Sequence, residues 1–450
     1  MSMVDLVCAK APMAGLVRGL LERCVSADRL NTLFDRHSQA QYTRELLFSQ
    51  VCDILLSTIL RVHPSAHAAY QAHAEGLEAS VSALYDKLKN VEPQVSRALV
   101  KEITKELIEI QDALGMEVVP WLPGYEIRIL DGNCLAASER RLKVHRQHNA
   151  AALPGKSLVV MDPVRQLMID VFPCEDGHAQ ERSLFDQVIP SVRANEVWIG
   201  DRNFCTCGFI DALVTQGAHV VLRRHGNLPF AEKTPWQEVA PTAEGQCLCE
   251  QAIEVNGKVY RHIRVFLATP TRDGDAHIDI MTSLPNEISA AQIAQLYRQR
   301  WTIEGAFQKL EAHLNSEIDS LAYPRAALFG FCLALVAFNI FSVCLCTLDC
   351  VHEQSVSQEL STYYIGHEIA SAFAATFLFT QLADWDFLAK SSLKEFAAWL
   401  KDVAQHINIK KYKKHKRGPK KIIPKPPYDP HTPHVSTYQL LVAQKTNKNL

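Results

Sequence analysis

Net charge is nearly absent from this chain: its 450 residues sum to a formal −2. The protein as a whole therefore carries no electrostatic signature of nucleic-acid binding, and any such contact must come from a local asymmetry. There is no glycine-rich loop of the kind that cradles phosphates, so no ATP requirement is expected. His178, His219, His225 and His262 have no spacing to an acid or a cysteine that outweighs a structural or surface reading, and they read as such residues. No basic-then-apolar signal segment is found at the N-terminus, and the thirteen cysteines are odd in number. Free thiols in a reducing cytoplasm are the expectation. Cys205/Cys207 and Cys247/Cys249 together offer four thiolates, but C-x-C is narrower than the usual spacing of a zinc knuckle, and no zinc site is expected.

What the chain does have is apolar mass: 48% of residues are hydrophobic, enough for a large core. Ala326 to Leu348 is a run of 23 residues without a charge. It is long enough to cross a bilayer. It is also isolated and contains Asn339, and the expectation is a helix enclosed in the protein core, with no membrane contact. Charge is strongly one-sided only in Lys410 to Lys421, with eight Lys or Arg in twelve residues and no acid. Lys410, Lys411, Lys413, Lys414, Lys416 and Arg417 are candidate phosphate-backbone contacts whose binding would weaken with salt.

The most informative stretch runs from Ser289 to Asn315. Ser289 followed by Gln292 is a capping-box start, and one continuous helix is expected from there. Leu296, Ile303, Phe307, Leu310 and Leu314 fall on one buried stripe at helical spacing. Tyr297, Arg300, Glu304, Gln308 and Glu311 form the stripe beside it. Upstream, residues 1 to about 115 read as helical, including Val95 to Leu114. From Val119 the period changes to that of strands: Tyr125–Leu130 running into Asp131, then Ser157–Met161, Leu167–Phe172, a helix from about Ala179 to Val188, and Glu196–Gly200 running into Asp201. Val220–Arg224, Val259–Phe266 and Asp279–Leu284 are further strands. Ser357 to Leu400 is helical again, and the segment after Asn408, basic and then proline-rich, is expected to stay mobile until a partner orders it.

Tyr297, Arg300 and Glu304, spaced Y-x2-R-x3-E within YRQRWTIEGAFQKL, resemble the signature of DDE transposases of bacterial insertion sequences, in the branch whose third acid lies on a helix after a β-rich insertion. The resemblance covers roughly Val119 to Ile340. It departs from the family pattern at Glu311, where a lysine is usual; Lys309 stands two positions earlier. The resemblance implies an α/β fold with a ribonuclease-H-like catalytic core, a mixed sheet with flanking helices. It also implies a division into a helical N-terminal domain at 1–118, whose Ser80–Leu88 segment looks like a DNA-end contact, and a core at 119–225. A β-rich insertion at 226–285, a core completed at 286–350, a C-terminal helical region at 351–407 and a basic, proline-rich tail at 408–450 follow. Asp131, Asp201 and Glu304 are the implied catalytic acids, holding two divalent cations, Mg²⁺ with Mn²⁺ as substitute. Tyr297, Arg300, Lys309, Arg261 and Arg264 are candidate DNA contacts. Double-stranded DNA, as terminal inverted repeats and as target, is the implied partner, bound by a homodimer assembled on the ends in the bacterial cytoplasm or nucleoid. A transposase-derived DNA-binding protein without cleavage, or a metal-dependent nuclease of the same fold, are the alternatives.

Overall fold

Beyond Leu122 the chain alternates apolar runs with turns, and these runs build a sheet. A computed structural model describes residues 2–40, 46–271, 274–352, 355–379, 384–415, 418 and 434–448. Its strands are β1 (Glu126–Cys134), β2 (Ala152–Leu153), β3 (Lys156–Asp162), β4 (Leu167–Cys174), β5 (Glu196–Gly200), β6 (His219–Arg223), β7 (Ala231–Glu232), β8 (Gln237–Val239), β9 (Leu248–Val255), β10 (Lys258–Phe266), β11 (His277–Thr282) and β12 (Val435–Ser436). Ten of them form one mixed sheet in the order β4-β3-β1-β5-β6-β11-β10-β9-β7, with β8 beside β9. β1, β5 and β6 run parallel, while β3 and β4 add to β1 antiparallel. The β-rich stretch between residues 226 and 285 continues this sheet, because β11 pairs antiparallel with β6 through Ile280–Arg223, Met281–Leu222 and Thr282–Val221.

Side chains alternate between the two faces of a strand, and both faces here are apolar. Ile127, Ile129, Val197, Ile199 and Val221 enter the larger core with the N-terminal helices. Leu130, Leu158, Trp198, Val220 and Leu222 enter a second core with Phe185, Phe204 and Phe209. Helices on both faces of a mixed sheet, with helical regions at either end of the chain, are the architecture that results.

The first 113 residues contribute helices Met3–Lys10, Pro12–Cys24, Ala27–His37, Phe48–Ile59, Ala66–His73, Val81–Leu88 and Pro93–Ala113. In the last, Leu99, Val100, Ile103, Leu107 and Ile110 are buried at the spacing of one helical face, and Pro93 starts it where a missing N–H costs nothing. Against it lies the apolar helix Pro324–Val351, packed also on Phe48–Ile59, Leu393–Gln405 and β4. That helix is long and apolar enough to cross a membrane, yet most of its apolar window is buried inside the protein. Asn339 at its middle is fully buried. Its Oδ1 accepts from the Met168 N–H at 2.8 Å, and its Nδ2 donates to Met168 O and to Thr104 Oγ1, each at 2.8 Å. One amide thus pins the central helix, the Pro93–Ala113 helix and β4 to one another.

The segment expected to be mobile behaves otherwise at its far end. β12 pairs parallel with β2, and the helix Thr437–Lys448 follows it. Ser436 Oγ and Gln439 Nε2 both donate to Asp176. A two-residue strand whose partner lies far back in the chain leaves no periodic signal, which is why the sequence suggested only a polar tail.

Replacing Asn339 by Leu fills the same space but strands the Met168 N–H in an apolar interior, while the Thr104 hydroxyl keeps its own bond to Met168 O at 3.1 Å. An unsatisfied buried polar group costs about 1–3 kcal/mol, and Asn339→Leu is expected to lower stability by about that amount, read as a fall in the urea midpoint. An unchanged midpoint means the amide is not the pin described.

Candidate active site

β1 and β5 are parallel neighbours in a constant register, Glu126 beside Glu196, Ile127 beside Val197, Arg128 beside Trp198 and Ile129 beside Ile199. Two residues further along, the same offset brings Asp131 level with Asp201. Adjacent strands lie about 4.8 Å apart, and Asp131 and Asp201 follow the alternation of Ile129 and Ile199, on the face of the larger core. Asp131 does not end its strand as the turn-like Asp-Gly-Asn suggested: β1 continues to Cys134, with Asp131 opposite Val159 of β3. It marks the place where the parallel pairing with β5 stops and the antiparallel pairing with β3 goes on. Asp201 directly follows β5, and its Oδ1 accepts from the Asn203 N–H at 2.8 Å, capping a short turn.

The Ser289–Asn315 stretch forms two helices where one was expected. Ala290–Arg298 opens with the capping box of Ser289 and Gln292, and Trp301–His313 follows after a turn at Gln299 and Arg300. At that turn the bonds tighten, Arg300 N–H to Tyr297 O and Thr302 N–H to Gln299 O. No proline or glycine breaks the helix there. Arg300 is drawn inward instead, to 8% exposure, where Nη1 donates to Asp131 Oδ2 at 3.1 Å and Nη2 to Glu304 Oε1 at 2.6 Å. Leu296, Ile303, Leu310 and Leu314 are buried as the stripe required, and Phe307 is half-buried.

Burial pushes the Asp131 carboxyl up to about 7, with Asp201 and Glu304 adding to the rise and Arg300 and the Gly132 N–H opposing it. Burial works against the Arg300 charge too, but Asp131, Tyr297 and Glu304 outweigh it and raise its pKa. Tyr297 is buried. Burial raises its hydroxyl, against the charges of Arg300 and Arg223. Three acids, a guanidinium and a phenol thus share one electrostatic neighbourhood. Arg300 Nε is buried without a partner. Beside it the Trp301 indole is 63% exposed, with the Arg300 guanidinium 5.3 Å from its ring centre. The sequence reading passed over that aromatic residue, although it lies inside the motif.

Among the described residues, no group of three or more His, Cys, Asp or Glu side chains is gathered closely enough to hold a metal ion. In particular, the two C-x-C pairs form no such group, and all thirteen cysteines are free. The Arg300 fork lies between Asp131 and Glu304, where positive charge is required. The oxygen chemistry of the three acids suits a hard divalent cation, while the unpartnered Arg300 Nε–H is a donor that suits an anion such as a phosphate.

The remaining candidate contacts are dispersed. Arg261 donates to Glu250 Oε1 at 2.6 Å and to the carbonyls of Pro285 and Ile288 at 2.7 and 2.6 Å, strapping β10 to the start of the Ala290–Arg298 helix. Arg264 forks onto Asp279 at 2.8 and 3.0 Å and lies 4.6 Å over the Trp236 ring. Both forks are engaged inside the chain. Lys309 is exposed, and partial burial of its ammonium, then the charge of Lys414, holds its pKa below the usual range. Lys410 is exposed, Lys411 pairs with Glu368, Lys413 pairs with Glu359, and Lys414 donates to Gln358 O. Lys416 and Arg417 lie outside the described residues. Glu311 is exposed, and its charge is felt by Glu317.

Residues 122–340 match the family model described as "Transposase DDE domain". Over these residues the chain is similar to a transposase DDE domain. No curated protein matches the chain.

Asp279 of β11 gathers Arg264, Arg224 and the buried His262. Burial alone would raise its carboxyl, but hydrogen bonds from His262 and Arg264 hold it far below the usual range. A depressed carboxylate stabilises the fold above its unfolded pKa and loses that contribution as the pH falls below it. Asp279→Asn is expected to cost about 3 kcal/mol at pH 7 in urea titrations. The gap to wild type should narrow as the pH drops below the ordinary aspartate pKa of 3.8. A gap that stays constant with pH contradicts the ion pair as its source.

Proposed function

We propose that this protein is a DDE transposase that cleaves the ends of an insertion sequence and transfers the strands into target DNA, using Asp131, Asp201 and Glu304 on a ribonuclease-H-like core. The observation that carries the reading is the parallel pairing of β1 and β5, which ends two residues short of Asp131 and Asp201, with the Arg300 fork joining Asp131 to Glu304. The strand order β4-β3-β1-β5-β6 supports that core, with the β-rich segment lengthening it before the glutamate helix. The spacing of Tyr297, Arg300 and Glu304 favours the Y-x2-R-x3-E branch. The N-terminal helices and the region after Ile340 lie outside the matched residues 122–340, and we assign end recognition and assembly of a dimer on DNA to them.

Two divalent cations, when bound, supply the charge that activates the attacking oxygen and stabilises the leaving oxygen of an in-line displacement. Asp131, Asp201 and Glu304 would hold these cations. Arg300, whose fork meets Asp131 and Glu304, would offer a phosphate of the strand end a bidentate match. Its position fixes the strand for attack. Tyr297 lines the wall beside it, and the exposed Trp301 offers a ring on which an unpaired base can stack. Lys309, Lys410, Lys411, Lys413, Lys414, Lys416 and Arg417 are assigned to the phosphate backbone further out, a salt-sensitive and sequence-independent contribution.

The test is cleavage and strand transfer by purified protein on element ends with Mg²⁺ or Mn²⁺. Glu304→Gln should leave end binding nearly intact and reduce cleavage by more than about 100-fold, since even residues behind a metal ligand typically contribute 10–100-fold. Arg300→Ala should weaken end binding as well as the rate. Glu311→Lys should strengthen end binding if the negative charge repels phosphate there. Binding without cleavage in the wild type, unaltered by Glu304→Gln, would put a DNA-binding relic of a transposase in place of the enzyme.

A further inference from the structure

Between β1 and β2 the chain forms a lobe, closed at its neck by the Leu135 N–H on Gly155 O at 3.1 Å and the Ser138 N–H on Ala152 O at 3.0 Å. Its stretch from Glu139 to His148, ERRLKVHRQH, holds four Lys or Arg, two His and a single acid. That acid, Glu139, is taken by Arg141 at 2.5 Å. Arg140, Lys143 and Arg146 are exposed and form no ion pair among the described residues.

The fold holds this charge outward. Side chains three apart on a 3₁₀ turn lie one above the other, so the short turn Lys143–His145 sets Lys143 and the following Arg146 on one side. His145 is buried, and its Nε2 lies 3.2 Å from Thr437 Oγ1 at the start of the chain-end helix. Thr437 is fully buried, and near it the Val435 N–H donates to Ala151 O at 3.0 Å. The Thr437–Lys448 helix brings no acid of its own. Arg140 Nη2 donates to Asn149 O, strapping one side of the lobe to the other. Burial lowers the His145 pKa, and Arg140 and His148 lower it further. The imidazole inside the lobe thus senses the positive potential around it.

The lobe also stands beside the candidate active site. Asp131 lies on the strand that leads into it, and the Glu139 N–H donates to Asp319 O at 2.8 Å, in the segment after the helix that carries Glu304. Burial raises the Tyr85 hydroxyl, and the charges of Arg141 and Glu139 reach it. Tyr85 belongs to the helix Val81–Leu88, within the segment expected to meet a DNA end. Cations held on a clamped lobe need little further ordering when they meet a polyanion, which keeps the entropic cost of binding low.

We propose that the 139–148 lobe is a phosphate-backbone contact for duplex DNA bound at the candidate active site, with Lys143 and Arg146 as its exposed cations and the chain-end strand and helix as its clamp. The proposal rests on the DNA reading of that site. It adds a second cationic surface to the basic run after Asn408, and it gives the ordered chain end a task.

The experiment measures binding of the full-length protein to a fluorescent duplex of random sequence, by anisotropy over a series of salt concentrations without divalent metal. Wild type is compared with the double variant Lys143→Ala/Arg146→Ala. A control, Lys105→Ala/Lys394→Ala, removes the same charge from exposed lysines on the helices Pro93–Ala113 and Leu393–Gln405. Circular dichroism and the thermal midpoint confirm that each protein is folded. Loss of Lys143 and Arg146 should reduce the slope of log affinity against log salt by about 0.9 for each phosphate contact, or about 2 in all, while the control keeps the wild-type slope. An equal fall in both double variants makes net charge the cause and overturns the surface. An unchanged slope in Lys143→Ala/Arg146→Ala beside clear wild-type binding overturns the surface and leaves the DNA reading standing. Wild type that binds no duplex overturns both. Loss of polyglutamate binding in that variant, with the duplex slope kept, assigns the lobe to an acidic protein and refutes the DNA contact.

Discussion

One buried guanidinium sets the shape of the site. Arg300 satisfies Asp131 on the sheet and Glu304 on the following helix, and without it like charges would face each other in a partly desolvated space. Breaking a buried pair is strongly destabilising because a charge is left uncompensated. The consequence reaches the backbone: the turn at Gln299 and Arg300 exists because the side chain is pulled toward the strands. Arg300 therefore serves the protein as the internal counter-charge that allows the carboxylates to be assembled.

The sheet carries this arrangement outward. Because β11 pairs with β6 and β10 with β11, the β-rich segment is rigidly continuous with the strands that bear the two aspartates. Arg261 then links β10 to the carbonyls of Pro285 and Ile288 at the entrance to the Ala290–Arg298 helix. Strand edge, β-rich segment and glutamate helix form a closed mechanical circuit, and the arginines expected at a DNA surface turn out to hold that circuit together.

Much of this was legible in the sequence, and the reasons are physical. Period-two runs gave β1, β3 to β6, β10 and β11 to within a few residues, because half-buried and fully buried strands impose their alternation on the chain. The apolar run around Asn339 read correctly as an enclosed helix because a lone amide in such a run needs internal partners. The break between Ala290–Arg298 and Trp301–His313 was invisible, since both stripes remain in phase across it and the cause is a tertiary ion pair. Arg261 and Arg264 looked like exposed strand residues because their acid partners, Glu250 and Asp279, sit on neighbouring strands.

The return of the chain end to β2 has a geometric consequence for the basic run. Lys413 and Lys414 are tied to the 358–360 segment, and Val435 is tied to Ala152. The chain is thus held on either side of this run at two points, a bridge at Leu360 and the strand β2, and both partners lie far back in the sequence.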